Sequence, residues 1–462
     1  MSLPLALQLA GWVSGLTFDD LPDDVIAASK LRMLDVIGLA LAGSGTPFGR
    51  STRAAAVALS PPGPCHVMGS GERVGLGTAA FANAALAQAL EFDDTHNESI
   101  VHMSSPSVAA ALGLAQTRAV TGRDLLLAIA ISNEIACRVG CVAPGQFHKR
   151  GLHPTALFAP FGVTYAIGRL LGLDRDVLAS AAGICGSSAS GLLECWADGT
   201  QTKFMHSGFA AQSGITAALL AANGATGPAR VFEGRFGFFA SHLQDADAPK
   251  DFGRLVDGLG DRWESRYSSF KPYPAAHVLH PYLDALFLLQ RQHQFTAADV
   301  TRIDVPVAAF IVGIVCEPVE EKVVPASDAH CRVSLQHTLA EALVYGSLGK
   351  DAYAEDRRTN ADVQALAARV GYRVDPEYPG PGRFKGAVEI TLNDGRTLAY
   401  TQEHNRGSLE NPMTYAELRG KFDDNAGDLL DRDGREHLAE WIANAEHLGD
   451  ASVLVDMTVG GD

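Results

Sequence analysis

Four stretches of this chain gather ionisable side chains inside otherwise apolar surroundings. The first, ALEFDDTHNESIVHMSSPS, carries Glu91, Asp93, Asp94, Thr95, His96, Glu98 and His102. Carboxylates beside imidazoles can pass protons, and His102 falls just ahead of a second apolar segment, where a helix should begin. The plainer account is a polar loop whose aspartates cap helices. Its His-x5-His spacing is no recognised metal-ligand pattern.

The second stretch, HKRGLHPTALFAPFG, sets His153 before Pro154 at the mouth of a small-residue helix, as a cap partner or a site imidazole. The third, WADGTQTKFMHSGFAAQSG, places Lys203 and His206 among aromatic, Met and Gly residues. Lysine is scarce here, nine against 28 arginines. A lysine in that setting could hold a carboxylate or serve acid–base chemistry, with Ser207 and Gly208 expected to open the next helix. In the fourth, SSFKPYPAAHVLHPYLDA, Lys271 precedes the stiff Pro272-Tyr273-Pro274. His277 and His280 follow three apart, on one face if helical. A proline-rich junction with core histidines would look the same. Two lysines and several histidines together point to a shared site for an anionic substrate.

The elements that must position these groups are mostly helices. Ala-rich segments over 22–43, 76–91, 106–119, 123–139, 154–171 and 206–223 have apolar stripes bounded by Gly, Pro and Asp. Their small residues suit close helix packing. Near residue 250 the texture changes. TRIDVPV (301–307) alternates like a strand, and 331–346 reads as helix, followed by a charged helix to about 371. KGAVEITLNDGRTLAYTQ (385–402) reads as a hairpin turning at Asn393-Asp394-Gly395. The last fifty residues return to helix. The expected architecture is mainly α: an all-helical domain from 1–268 plus 404–462, with a smaller inserted α/β lid domain over 272–403.

Composition narrows the function. The 462 residues are 47 % hydrophobic and 19 % charged, with 53 acids against 37 Lys and Arg and a net charge of -16. Such a chain folds compactly and repels nucleic acid and anionic lipid. No basic region precedes Lys30, and no apolar run reaches membrane-spanning length. The seven cysteines form no Cys-x-x-Cys pair; Cys137 and Cys141, four apart on a helix, read as small buried hydrophobes. A cytoplasmic, reduced protein with no nucleic-acid or membrane partner is expected. GSGERVG at 69–75 misses the dinucleotide-binding glycine spacing.

The chain carries, in order, LDVIGLALAGS (34–44), ANAALAQALEFDDTH, GLHPTALFAPFG, the Gly-x-x-x-Lys-x-x-His-x-Gly block ending at Gly208, Lys271-x-x-Pro274, and RGSLENPMTYAELRGKF. In these ordered motifs it resembles the MmgE/PrpD family, which includes 2-methylcitrate dehydratase, cis-aconitate decarboxylase and iminodisuccinate epimerase. The resemblance implies a homodimer and a cleft for di- or tricarboxylates, with no cofactor or metal. It assigns active-site roles to Thr95, His102, His153, Lys203 and Lys271, and puts the family's acid on Glu91. Three features depart from the pattern. Glu91 stands where Asp is usual and Gln88 where His is usual; Met103 intervenes after His102, which in the family is followed directly by Pro-Ser; and Gln336-His337 matches a Gln-Tyr pair.

On this reading the chain is a cofactor-independent lyase that dehydrates a hydroxy-polycarboxylate through an enolate-like carbanion. Epimerisation, decarboxylation or silent carboxylate binding are the alternatives. Lys203 and Lys271 would hold carboxylates; His102 and His153 would move protons, and His337 would protonate a leaving hydroxide. Glu91 would orient a histidine, with Asp93, Thr95, His206, His277 and His280 contributing to substrate binding.

Overall fold

The computed structural model describes residues 3–380 and 382–459, and it is mainly α-helical. Long helices span Asp23–Ser44, Leu76–Gln88, Ser104–Ala115, Gly122–Cys141, Pro154–Leu170 and Thr202–Ala222. Several are buried along nearly their whole length: every residue of Ser104–Ala115 is buried. Alanines and glycines make such close packing feasible. A Cβ on Gly43 would lie 2.0 Å from the Leu86 carbonyl oxygen, so at that crossing only glycine lets the backbones approach.

Buried apolar side chains form two large clusters. One joins the helices of the first 255 residues to Phe422, Leu438, Ile442 and Leu454 of the C-terminal helices. The helix Tyr415–Ala426 lies against Asp23–Ser44, pinned by Lys421, whose Nζ is 2.7 Å from Asp35 and donates to the Phe92 carbonyl at 2.8 Å. The second cluster runs from Ala275 to Leu398. It surrounds a four-stranded sheet in the order Val370–Val374, Val300–Val307, Gly386–Leu392, Thr397–Gln402. The first pair is parallel and the other two antiparallel. The hairpin turns at Asn393–Arg396, with Gly395 at φ +87°.

Two local readings need correction. The helix carrying Lys203 starts at Thr202, ahead of the expected Ser207-Gly208 opening. The charged helix expected to reach about residue 371 ends at Ala367, and Val370–Val374 is an edge strand beside Val300–Val307. Its alternating Val-Gly-Tyr-Arg-Val suits a pleated edge once a partner strand is present. All seven cysteines are buried and unpaired. Among the described residues no helix is long and apolar enough to cross a membrane.

Candidate active site

Glu91 lies just beyond the helix Leu76–Gln88 with φ +53°, a left-handed conformation rarely adopted outside glycine. Such backbone strain persists only where surrounding contacts enforce it. Here Lys271 Nζ donates to the Glu91 carbonyl at 2.9 Å and to Oε1 at 3.1 Å, while Lys203 Nζ pairs with Oε2. Arg332 donates to the adjacent Leu90 carbonyl at 2.7 Å. Burial pushes the Glu91 carboxyl pKa up, but Lys203 and Lys271 outweigh it and hold the group well below its ordinary value. Burial also lowers the Lys271 pKa, opposed by Glu91 and Asp93.

His102 faces this ion cluster. Its Nε2 is 3.7 Å from Glu91 Oε1, and its Nδ1 is 3.1 Å from Asp93 Oδ1 and 3.3 Å from Thr95 Oγ1. Ser105 donates to the other Asp93 oxygen at 2.8 Å, and the His102 amide donates to Thr155 Oγ1 at 3.0 Å. The ring is thus oriented by a carboxylate, as a proton-transfer imidazole must be. The extra Met103 leaves this arrangement intact, because its side chain is absorbed into the core. Burial lowers the His102 pKa against the pull of Asp93.

His153 caps the helix Pro154–Leu170, whose first residue is a proline, as helix geometry favours. Its Nδ1 is 2.8 Å from that of His206, which stands one turn beyond Lys203. Burial and Lys203 keep His153 well below the usual imidazole pKa and take His206 down to about 4. Gln88 occupies a structural position, its Oε1 accepting from Ser207 Oγ at 2.8 Å. Lys271 follows the short strand Ser268–Ser269, which pairs with Thr95–His96 and so fixes its approach to Glu91.

A narrow chamber of about 60 Å³ gathers Glu91, Thr95, His102, His153, Lys203 and His277 on its polar side. Lys271 and Asp93 lie directly behind that wall, Lys271 fully buried. His206 backs His153. His280 stacks on His277 at 5.0 Å and shares hydrogen bonding with the Ala275 carbonyl, outside the lining. His337 is elsewhere. Its ring is buried in the sheet-side core, with Nε2 3.3 Å from Glu341, and it reaches neither chamber nor cleft. The sequence reading passed over His148, Trp196, Asn405 and the apolar wall. His148 could have been noticed in the same stretch as His153, whereas Asn405, which meets His277 Nε2 at 2.9 Å, comes from a loop remote in sequence.

Most of the remaining lining is apolar, including Val278, Val333, Phe384 and Ile314. Ile100, His148, Trp196, Phe310 and Ile314 line both this chamber and a neighbouring cleft of about 1000 Å³. Among the described residues one trio could hold a metal ion: the buried His96, Cys141 and Glu264, none of which lines the chamber. Chemically, the chamber offers two ammonium groups locked to one carboxylate, an imidazole oriented by a second carboxylate, and further neutral imidazoles. That set can bind an anion, stabilise negative charge on a neighbouring carbon and deliver a proton.

Comparisons with known proteins agree in extent. Residues 7–250 match the MmgE/PrpD N-terminal domain and residues 273–447 the MmgE/PrpD C-terminal domain. The chain is 28 % identical to cis-aconitate decarboxylase of Aspergillus terreus, over 97 % of this chain and 95 % of that protein. It is 27 % identical to the cis-aconitate decarboxylases of Mus musculus, over 98 % and 93 %, and Homo sapiens, over 97 % and 93 %. With both domain models spanning most of its length, the chain belongs to the MmgE/PrpD family.

Proposed function

We propose that this protein is a lyase acting on a polycarboxylate, and that the bond it breaks is a carbon–carboxylate bond. The observation that carries the reading is the Glu91–Lys203–Lys271 cluster beside His102. One substrate carboxylate competes with Glu91 for the lysines. A second loses carbon dioxide, leaving its bonding electron pair on carbon, delocalised toward the lysine-held carboxylate. His102 delivers the proton that quenches this carbanion and is reprotonated from solvent. An apolar wall strips water from the departing carboxylate, which favours its loss.

Decarboxylation is preferred to dehydration for a structural reason. His337, the acid assigned to a leaving hydroxide, lies outside the chamber. The cis-aconitate decarboxylase relatives support the same choice. The proposal extends to a lid role for residues 272–403, no cofactor, and a homodimer. Exposed Phe209, Leu219 and Leu220 on the Lys203 helix offer a face for association.

The test is proton NMR in D₂O with a carboxylate panel including cis-aconitate, alongside a carbon dioxide assay. Release of carbon dioxide with one deuterium incorporated per product supports the proposal. A new alkene without carbon dioxide establishes dehydration instead.

A further inference from the structure

His277 lines the chamber, yet no step of the proposed decarboxylation uses it. Its buried ring is held on two sides. His280 stacks on it at 5.0 Å with the ring planes 17° apart, and Phe384, also a lining residue, lies at 5.0 Å. The third restraint is the buried Asn405, 128 positions away, whose Nδ2 is 2.9 Å from His277 Nε2. The same Nδ2 donates to the Arg406 carbonyl at 3.3 Å. A carbonyl only accepts, so the Asn405 atom facing the ring is the amide nitrogen, a donor. His277 Nε2 therefore accepts, and the neutral ring carries its proton on Nδ1. That Nδ1 is buried with no hydrogen-bond partner among the described residues, a costly state for a donor. The loop bearing Asn405 is itself anchored. The Arg406 amide donates to Asp284 on the helix His280–His293 at 2.7 Å, and the Gly407 carbonyl accepts from the Phe270 amide at 3.1 Å.

We infer that Asn405 is a positioning residue that fixes His277 as its Nδ1–H tautomer, and that this N–H is a preset hydrogen-bond donor for a substrate carboxylate oxygen in the chamber. The inference rests on the proposal that the chamber binds carboxylate, and it deepens that proposal by separating the roles of two imidazoles. His102, oriented by Asp93, carries the proton. His277 keeps its own proton and stabilises negative charge on the oxygen it meets, as a donor held in place by its surroundings does.

Nitrogen NMR of the full-length protein labelled with ¹⁵N-histidine tests this, with the His277 signals identified by their loss in His277→Gln. Protonated and bare ring nitrogens are well separated in such spectra. We expect the proton on Nδ1 in the wild type, and addition of the saturated propane-1,2,3-tricarboxylate should shift Nδ1 while leaving Nε2 nearly unmoved. A wild-type proton on Nε2, or a bound tricarboxylate that leaves Nδ1 unshifted, overturns the inference without any change at Asn405. Asn405→Leu keeps the bulk of the side chain and removes the donor. It should move part of the proton to Nε2 and weaken tricarboxylate binding about tenfold by titration calorimetry, the worth of one hydrogen bond to a charged ligand. A purely structural Asn405 would change the melting temperature and leave the tautomer alone. An unchanged tautomer, or an affinity within about twofold of wild type, therefore overturns the positioning role. Lys203→Met separates the two readings. If it abolishes tricarboxylate binding while the His277 result is negative, only this inference falls. If no tricarboxylate binds, or binding survives Lys203→Met undiminished, the carboxylate site fails and the inference with it.

Discussion

Glu91→Gln is the most informative single change in this protein. It keeps the shape of the side chain but removes the negative charge shared by Lys203 and Lys271. At an effective dielectric of about 20, one such pair about 4 Å apart is worth about 4 kcal/mol of Coulomb energy. Leaving a buried partner uncompensated costs about 3–5 kcal/mol in comparable cases. For a chain of 462 residues, the unfolding entropy of about 2.1 cal/mol/K per residue makes this a fall in Tm of about 3–5 °C. The same change frees two ammonium groups, so carboxylate affinity should rise about tenfold, equivalent to about 1.4 kcal/mol. Saturating carboxylate should then recover about 2.7 kcal/mol at a concentration of 100 Kd. Differential scanning calorimetry with and without ligand, paired with titration calorimetry, reads both effects. The acid limb of stability gives a further check. Glu91 has a folded pKa below its unfolded one, so its contribution is present above about pH 4.5 and is lost as pH falls through the lower folded value. The variant should lack that component. Unchanged Tm together with unchanged carboxylate affinity would refute the idea that Glu91 holds the lysines in place of a substrate anion.

Further tests follow from the same geometry. His102→Ala should lower kcat by about 10² to 10⁴, the range of a single acid–base group; a rate within threefold of wild type removes His102 from proton transfer. His337→Phe should leave kcat within about threefold while altering Tm, because the ring belongs to the core beside Glu341 and Tyr353; a loss of kcat alone would return it to the chemistry. Burial takes His96, His148 and His206 down to about 4. Their stabilising contribution should therefore be full above pH 6.5 and decline as pH falls toward 4, with net proton uptake on unfolding. Unfolding enthalpies measured in buffers of different ionisation heat would show that uptake, and none at pH 5 would contradict it. Gly407→Ala should be strongly destabilising: φ is +94°, and a Cβ would lie 2.0 Å from the Phe270 carbonyl oxygen, beside Lys271. Circular dichroism melts together with carboxylate affinity would show whether Lys271 is displaced.

The helices were legible because their apolar spacing, caps and breakers are local signals. Leu76–Gln88, Gly122–Cys141 and Pro154–Leu170 fall where that grammar puts them. The hairpin turn at Asn393–Arg396 was equally local. Glu91, His102, His153, Lys203 and Lys271 could be singled out because ionisable groups in apolar surroundings need partners. Their partners, however, come from separated segments. Lys203 reaches Glu91 across 112 positions and Lys271 across 180. No spacing rule indicates that the two lysines share one carboxylate.

His337 shows the other side of this limit. A histidine in a helix carries the same sequence signal whether it faces a cavity or a core, and packing against Glu341 and Tyr353 decided the matter. Lys421 and Gly407, which reach Phe92 and Phe270 from the last sixty residues, have no local mark of their roles. By itself the sequence determined the helical character, the acidic charge balance and the inventory of acids and bases. The tertiary structure alone decided which lysine met which carboxylate, which imidazoles faced the chamber, and which apolar side chains completed its lining. Periodicity is a property of neighbouring residues, whereas pairing in a buried site depends on contacts between distant segments that exist only after the chain has folded.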